Sequence, residues 1–169
     1  MHLIRQRGFT LIELMVTLTI LVITLGWVAP SFSQLISRNS IVTDLSRLRS
    51  AIALARNTAI TREQVITLCP SRDQKSCNKN WSLPLLVIQG PFDGNNISQD
   101  TDILKIIPEG NVSNTRFRND YRWIRIPATG WPRGYNGTFE LCDTNGESAS
   151  LVMSNTGRLR SGDTAQCKR

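Results

Sequence analysis

The beginning of the chain constrains its fold most, because a short basic stretch precedes a long apolar run. Residues 1–8 include Arg5 and Arg7, and the 21 residues from Phe9 to Ala29 are apolar apart from threonines, one glycine and one carboxylate, Glu13. A run of this length predicts a helix that can cross a bilayer. The arginines before it predict a cytoplasmic N-terminus and a domain outside the membrane.

Glu13 is the anomaly in this run, because a carboxylate in hydrocarbon is costly and is usually functional, with a partner that neutralises it. The alternative is a glutamate at the level of the lipid headgroups. The segment Gly8-Phe9-Thr10-Leu11-Ile12-Glu13 resembles the class III signal of type IV pilins and type II secretion pseudopilins. The resemblance implies that a prepilin peptidase cleaves between Gly8 and Phe9 and that the new Phe9 amine is methylated. It also implies that Glu13 pairs with the N-terminal amine of a neighbouring subunit during assembly.

The chain divides into four predicted segments. Residues 1–8 are the leader, 9–32 a transmembrane and assembly helix, 33–63 an amphipathic helix of the soluble domain, and 64–169 a β-rich globular domain. Between Ile41 and Ala59 apolar residues recur at spacings of three and four. This pattern is typical of a helix that packs one face on a core.

After Glu63 the chain changes to short β-rich runs separated by turn residues. The candidate strands are Gln64–Cys69, Leu83–Gln89, Ile103–Ile107, Arg122–Ile126, Gly137–Cys142 and Ser150–Ser154. No helix lies between them, which favours antiparallel pairing. We therefore expect an α+β, type IV pilin-like fold, in which a long N-terminal helix packs on one or two antiparallel sheets.

The four cysteines, Cys69, Cys77, Cys142 and Cys167, allow three pairings, and none of their spacings is the C-x-x-C of a zinc or redox motif. In a domain outside the cytoplasm they are expected to oxidise. We favour the local pairing of Cys69 with Cys77 and of Cys142 with Cys167. The alternative is that some of them are free buried thiols.

Histidine usage argues against an enzyme. The single histidine, His2, lies in the predicted leader, so the mature chain has no imidazole for general-base work or metal ligation. Mechanisms that need histidine are excluded, and we expect no catalytic residue, no metal site and no cofactor.

The C-terminal segment contains the candidate binding residues. If residues 158–160 are extended, Arg158 and Arg160 project on the same side, roughly 7 Å apart, while Leu159 faces the domain. Two guanidinium groups on one edge can each hold a phosphate oxygen, and Gly157 permits a tight turn and a close backbone approach. The alternative is a pair of arginines that only improves the solubility of a surface strand.

Further basic residues, ranked below Arg158 and Arg160, could extend this surface: Lys105, Arg116, Arg118, Arg122, Arg125, Arg133, Lys168 and Arg169. A bridge from Cys142 to Cys167 would hold the last two near the same region. Loss of the leader removes two of the 20 basic side chains, and the 18 that remain against 13 acidic ones give the mature chain a charge of +5. Such an excess is compatible with a polyanionic partner.

The soluble part resembles the FimT/GspH family of minor pilins and pseudopilins. The resemblance rests on Leu68-Cys69-Pro70-Ser71, Cys77, Trp81, Phe139-Glu140-Leu141-Cys142 and Thr156-Gly157-Arg158-Leu159-Arg160. The chain departs from the family pattern after Trp81, where Ser82-Leu83-Pro84 replaces an expected glycine-containing stretch. The Gly-Arg-x-Arg ending is similar to that of FimT-type minor pilins, which are implicated in capturing DNA during natural transformation. The resemblance implies that Gly157, Arg158 and Arg160 contact DNA.

We therefore expect a minor type IV pilin of the bacterial inner membrane that joins a pilus and binds extracellular duplex DNA without sequence preference. No motif for base readout is present, so binding should rest on phosphate contacts and weaken with salt. The alternative is a structural minor pseudopilin of a type II secretion system, or a subunit that primes pilus assembly. The N-terminal signal does not separate the two functions.

Overall fold

The computed structural model describes residues 10–92, 97, 103–118, 121–163, 165 and 167, with the backbone alone for 27–31. Four predicted site residues, Gly8, Phe9, Lys168 and Arg169, lie outside the described residues. The chain forms two compact units, residues 1–36 and residues 37–169.

A single helix, α1, spans Leu11–Arg62, and both of its ends are capped. At the start, the Glu13 N–H donates to the Thr10 hydroxyl at 3.3 Å. The Glu13 carboxylate lies in the first turn, where its negative charge is attracted by the positive end of the helix dipole. At the end, Glu63 adopts a left-handed φ of 52°. The N–H of Gln64 then donates to the Ala59 carbonyl at 3.2 Å, which is the pattern of a Schellman cap.

The first unit exposes its large apolar side chains, and every such residue from Leu11 to Leu25 is more than half exposed. The threonines on this part of α1 satisfy their hydroxyls within the helix. Thr17 donates to the Leu14 carbonyl at 2.9 Å and Thr19 to the Met15 carbonyl at 2.7 Å. Over the ranges that the structure describes, no helix combines the length and the apolar character that a membrane span requires.

The described part of the second unit contains eight strands in two antiparallel sheets. They are β1 (Ile66–Pro70), β2 (Leu85–Gln89), β3 (Ile103–Ile107), β4 (Asn114–Phe117), β5 (Ile124–Ile126), β6 (Gly137–Cys142), β7 (Ser148–Met153) and β8 (Leu159–Ser161). The first sheet has the order β3-β2-β1-β5, and the second sheet has the order β4-β6-β7-β8. The predicted α+β, pilin-like fold is confirmed.

All six predicted strands are present, although β1, β2 and β5 begin two residues later than expected and β7 begins two residues earlier. The prediction missed β4, because in the sequence Asn-Thr-Arg-Phe only Thr115 and Phe117 point to the core. A strand this short shows too little alternation to be recognised from its pattern. The extended piece that was expected at residues 158–160 corresponds to β8.

Two hydrophobic clusters hold the second unit together. The first is formed by the apolar stripe of α1 and the inner faces of both sheets, with the large side chains Trp81, Phe117 and Phe139 fully buried at its centre. Phe117 and Phe139 stack with ring centroids 4.2 Å apart. The second cluster lies on the other face of the first sheet and consists of Cys69, Cys77, Leu86, Ile88 and Ile97. The predicted amphipathic stripe is therefore the helix face that packs on the core.

Two disulfides close local loops, in the pairing that we favoured. Cys69 is bonded to Cys77 across a separation of 8 residues, and Cys142 to Cys167 across 25. The first bridge is buried in the second cluster, whereas Cys167 is exposed. The second bridge returns the C-terminal tail to the end of β6.

Candidate nucleic-acid interface

Arg158 and Arg160 lie at the hairpin that joins β7 to β8. The Ser154 N–H donates to the Arg158 carbonyl at 3.0 Å, and the Gly157 N–H donates to the Ser154 carbonyl at 2.9 Å. The Arg158 N–H in turn donates to the Ser154 hydroxyl at 3.1 Å. Gly157 has a φ of 75°, a left-handed conformation that glycine adopts without strain. The backbone of this turn is therefore held by its own hydrogen bonds.

The side chains alternate along this segment as the extended pattern predicts. Arg158 and Arg160 are exposed, whereas Leu159 is half-buried and packs against the first cluster. Within the described residues, neither guanidinium group has a hydrogen-bond acceptor or an ion-pair partner. Both groups therefore face solvent with their donors unused.

Gly157 itself is buried, and Arg56 of α1 binds the chain at this point. The Arg56 guanidinium donates to the Gly157 carbonyl at 3.3 Å and to the Gly130 carbonyl at 2.9 Å. A Cβ at residue 157 would lie 3.0 Å from Arg56 Cδ and 3.1 Å from Pro132 Cδ. The direct DNA contact that the resemblance implies for Gly157 does not fit this burial. The glycine instead shapes the turn that presents Arg158.

The other predicted basic residues are not all brought together. Arg116 is exposed on β4 and shares the outer face of the second sheet with Arg160, at the opposite edge of that sheet. Three strand spacings separate the two edges, or about 14 Å. Lys105 is exposed on β3, an edge strand of the first sheet, so it does not belong to this face.

Arg118, which follows β4, is bound by the neighbouring loop that precedes β6. Its guanidinium donates to the Gly134 carbonyl at 3.0 Å and to the Asn136 carbonyl at 2.6 Å, and it lies 5.6 Å from the centroid of the Tyr121 ring. A group with these partners has few donors left for a phosphate. The role of Arg118 is therefore mainly to hold this loop, and not to bind DNA.

The outer face of the second sheet also carries negative charge. Glu140 on β6 faces Arg116 across the β4–β6 pair, and it lines a shallow depression together with Arg160 and Asp163. The tail crosses β7 here, where the Ser150 hydroxyl donates to the Asp163 carbonyl. A phosphate is consequently favoured at the Arg158 end of β8 and opposed near Glu140.

Sequence reasoning did not assign a site role to Arg49, which the structure places next to β8. Arg49 is exposed, and its guanidinium donates to the Ser161 hydroxyl at 2.8 Å. It precedes Arg56 by two helical turns, so both arginines lie along the side of α1 that faces β8 and its hairpin. That seven-residue spacing was the available signal, although it identifies a side of the helix and not its neighbour.

Comparison with known proteins supports the pilin assignment. Residues 44–157, more than half of the chain, match the family described as Type II transport protein GspH, and residues 3–29 match the prokaryotic N-terminal methylation motif. The first match ends at Gly157, so Arg158 and Arg160 lie beyond it. No curated protein matches the chain.

Two crystal structures of the type IV minor pilin FimU from Pseudomonas aeruginosa, in different crystal forms, are similar to this chain. Each has a TM-score of 0.58 and 18% sequence identity, and the similarity covers 76% or 73% of this chain and 96% of the FimU chain. At this identity the similarity shows the fold alone. The family and the fold are those of structural, non-enzymatic proteins. With its N-terminal methylation motif, its pilin fold and its family match, the chain belongs to the GspH/FimT family of minor pilins and pseudopilins.

Proposed function

We propose that this minor pilin binds DNA without sequence preference through Arg158 and Arg160, and that it supports DNA uptake in natural transformation. The observation that carries the proposal is the pair of exposed guanidinium groups on a hydrogen-bonded turn, with no internal partner among the described residues. Arginine is well suited to phosphate because its planar donors can bind two oxygens at once. Contacts of this kind position a duplex without reading its sequence.

The charge of the chain supports the same partner. The mature chain would carry a net charge of +5, and one of its positive side chains, Arg49, lies beside β8. Neutralising phosphates releases counterions, so the affinity should fall linearly with salt on a logarithmic scale. Few contacts per subunit suffice if a filament presents several subunits to one DNA molecule. Arg116, Lys168 and Arg169 would be secondary contacts, whereas Lys105, on the first sheet, would contact DNA only if the duplex extended beyond this face.

The proposal includes the route by which the subunit reaches the surface. A prepilin peptidase would cleave between Gly8 and Phe9, and Glu13 would pair with the methylated amine of a neighbouring pilin. The subunit would first span the inner membrane through residues 9–32, with its domain in the periplasm. The exposed apolar side chains between Leu11 and Leu25 support an apolar environment for this part of α1, in lipid or against other pilin helices.

The test is DNA binding by the full-length chain in a non-ionic detergent. Fluorescence anisotropy with a random-sequence duplex at two salt concentrations would compare the wild type with Arg158→Gln/Arg160→Gln. We expect the double variant to lose more than about tenfold in affinity and the salt slope to fall by about 2, or about 1 for each phosphate contact.

The matched control is Arg72→Gln/Lys75→Gln, which removes the same charge from the Cys69–Cys77 loop, where both residues are exposed. This control should bind nearly as tightly as the wild type. Equal losses in both double variants would show that only net charge matters, and no binding by the wild type at low salt would reject the proposal.

A second function follows from the family match, whose description is a type II transport protein and which ends before Arg158. The chain would then act as a minor pseudopilin or as a subunit that primes pilus assembly. In that case the double variant would still assemble and support secretion or piliation, whereas Glu13→Ala would not.

A further inference from the structure

The loop that precedes β6 lies directly beside the arginine hairpin and presents an exposed aromatic residue. Trp131 in this loop is 44% exposed, although tryptophan is normally among the more buried residues. The Arg133 guanidinium lies 5.3 Å from the centroid of its ring. A large π surface and a positive charge therefore stand together on the surface.

Contacts from two neighbouring elements fix this loop in place. Arg56 binds the Gly130 carbonyl and the Gly157 carbonyl at the same time, which ties the loop to the hairpin. The Gly134 N–H donates to the Asn155 side chain at 3.3 Å. A Cβ at Gly130 would lie 2.7 Å from Cδ1 of Ile60 in α1, so the loop also packs closely on the helix. Trp131 is thus presented by a rigid loop.

A groove opens beside Trp131, and its walls are largely apolar. It is lined by Val65, Pro91, Arg125, Pro127, Thr129, Trp131, Arg133 and Tyr135. Its charged lining residues are both arginines, and among the described residues no carboxylate lines it. Arg125 is held in place, because its guanidinium donates to the Phe92 carbonyl at 2.7 Å and 3.1 Å. As far as the described residues show, the groove therefore combines flat apolar surfaces with positive charge.

This combination matches the chemistry of an unpaired nucleotide. Proteins hold single strands by stacking bases on aromatic side chains while basic groups follow the backbone. A base within a duplex is already stacked and cannot use such a surface, whereas phosphates are available in both forms. The charge also disfavours a neutral or basic peptide, which would leave the arginines without a counter-charge.

We propose that Trp131 and Arg133, with the adjoining groove, form a stacking site for an unpaired base of DNA whose phosphates are held by Arg158. This inference rests on the proposed DNA binding and extends it from the duplex to single-stranded or frayed ends. Arg158 and Arg160 supply affinity for any DNA, and Trp131 supplies preference for unpaired nucleotides.

The test compares a labelled 15-nucleotide oligothymidine with a duplex of the same length, by anisotropy with the full-length chain in a non-ionic detergent. Trp131→Ala should weaken single-strand binding by roughly 5- to 100-fold, as expected for one lost stacking contact, and change duplex binding by less than about twofold, since no base is stacked there. Trp131→Phe should retain most of the preference because it keeps an aromatic face. Trp131→Leu should lose the preference although it keeps apolar bulk.

The outcomes separate this inference from the proposal on which it rests. If duplex binding depends on Arg158 and Arg160 while Trp131→Ala and Trp131→Leu leave the ratio of single-strand to duplex affinity unchanged, the stacking site is wrong and the phosphate contacts stand. If the wild type binds neither oligonucleotide, both proposals fail. Thermal unfolding of each variant checks that the loop change leaves the fold intact.

Discussion

The two sheets of the second unit have four strands each, yet they are buried in different ways. In the first sheet, β1 is buried at all five positions and β2 at four of five, since one face packs on α1 and the other on the second hydrophobic cluster. In the second sheet the buried side chains lie on the inner face, apart from Ser150, which the tail covers, and Glu140 and Arg160 face solvent. An antiparallel sheet with one solvated face can vary its surface chemistry without disturbing its core. The first sheet therefore acts as scaffold, and the second presents the candidate interface.

The largest expected effect is the difference in stability lost when a side chain is truncated in each of the two sheets. Leu86→Ala on the first sheet should reduce the free energy of unfolding by about 2–5 kcal/mol, because Leu86 is fully buried in the second cluster. Val152→Ala on the outer face of the second sheet should cost less than about 1 kcal/mol, because Val152 is only half-buried. Denaturant unfolding of both variants measures the difference. Equal losses would mean that the outer face is packed as well.

A second prediction concerns two glycines of the second sheet that share a left-handed φ but differ in surroundings. Gly157→Ala should destabilise the chain by about 1–3 kcal/mol, since it adds backbone strain to a crowded contact with Arg56 and Pro132. Gly146→Ala should cost about 1 kcal/mol, because its φ is 87° but nothing lies within 4 Å of its added Cβ. Thermal unfolding ranks them. If Gly146→Ala were the more destabilising of the two, the Arg56 side chain would be able to move away from the added Cβ at little cost.

The sequence predicts features that arise within one helix or strand, but not contacts between residues that are far apart along the chain. The α1 stripe from Ile41 to Ala59 is long and periodic, so it was predictable, and so was the alternation of Arg158 and Arg160 within one extended segment. The proximity of Trp131 to the arginine hairpin was not, because more than twenty residues separate them and Arg56 joins their loops through carbonyl groups that every residue has. The capture of Arg118 by carbonyls of its neighbouring loop left no sequence signal for the same reason.

A smaller effect should appear in the electrostatics of the outer face. Glu140→Gln removes a carboxylate from the depression that Arg160 lines, so DNA affinity should rise roughly two- to fivefold at low salt and less at high salt. The control Glu109→Gln makes the same charge change beyond the end of β3 in the first sheet, and it should have little effect. Anisotropy titrations at two salt concentrations would measure both. An equal rise in the two variants would favour a response to net charge.

The smallest expected effect is a change in the pKa of one of two turn carboxylates, Asp143 beside the second sheet and Asp73 beside the first. A hydrogen bond of 2.6 Å from the Ser37 hydroxyl lowers the pKa of Asp143 below its usual 3.8, whereas the N–H groups of Lys75 and Ser76 within its own loop lower the pKa of Asp73. Ser37→Ala should therefore raise the pKa of Asp143 and leave that of Asp73 unchanged, as carboxyl NMR titration would show.

Since folding lowers the pKa of Asp143, its hydrogen bond stabilises the fold above the ordinary aspartate pKa of 3.8, and this contribution is lost as the pH falls through the lower folded value. Ser37→Ala should reduce this part of the acid sensitivity. An equal change in the pKa of Asp143 and of Asp73 would contradict the prediction that Ser37 acts on Asp143 alone.

The double hydrogen bond of Arg56 has a consequence for how this protein can diversify. Arg56 holds the two loops through the main-chain carbonyls of Gly130 and Gly157, so it places no demand on the side chains at residues 131, 133 or 158. Mutational drift at those exposed positions would leave the loop geometry unchanged. Single substitutions at these positions would therefore change what this surface binds, while the helix and its arginine keep the framework constant.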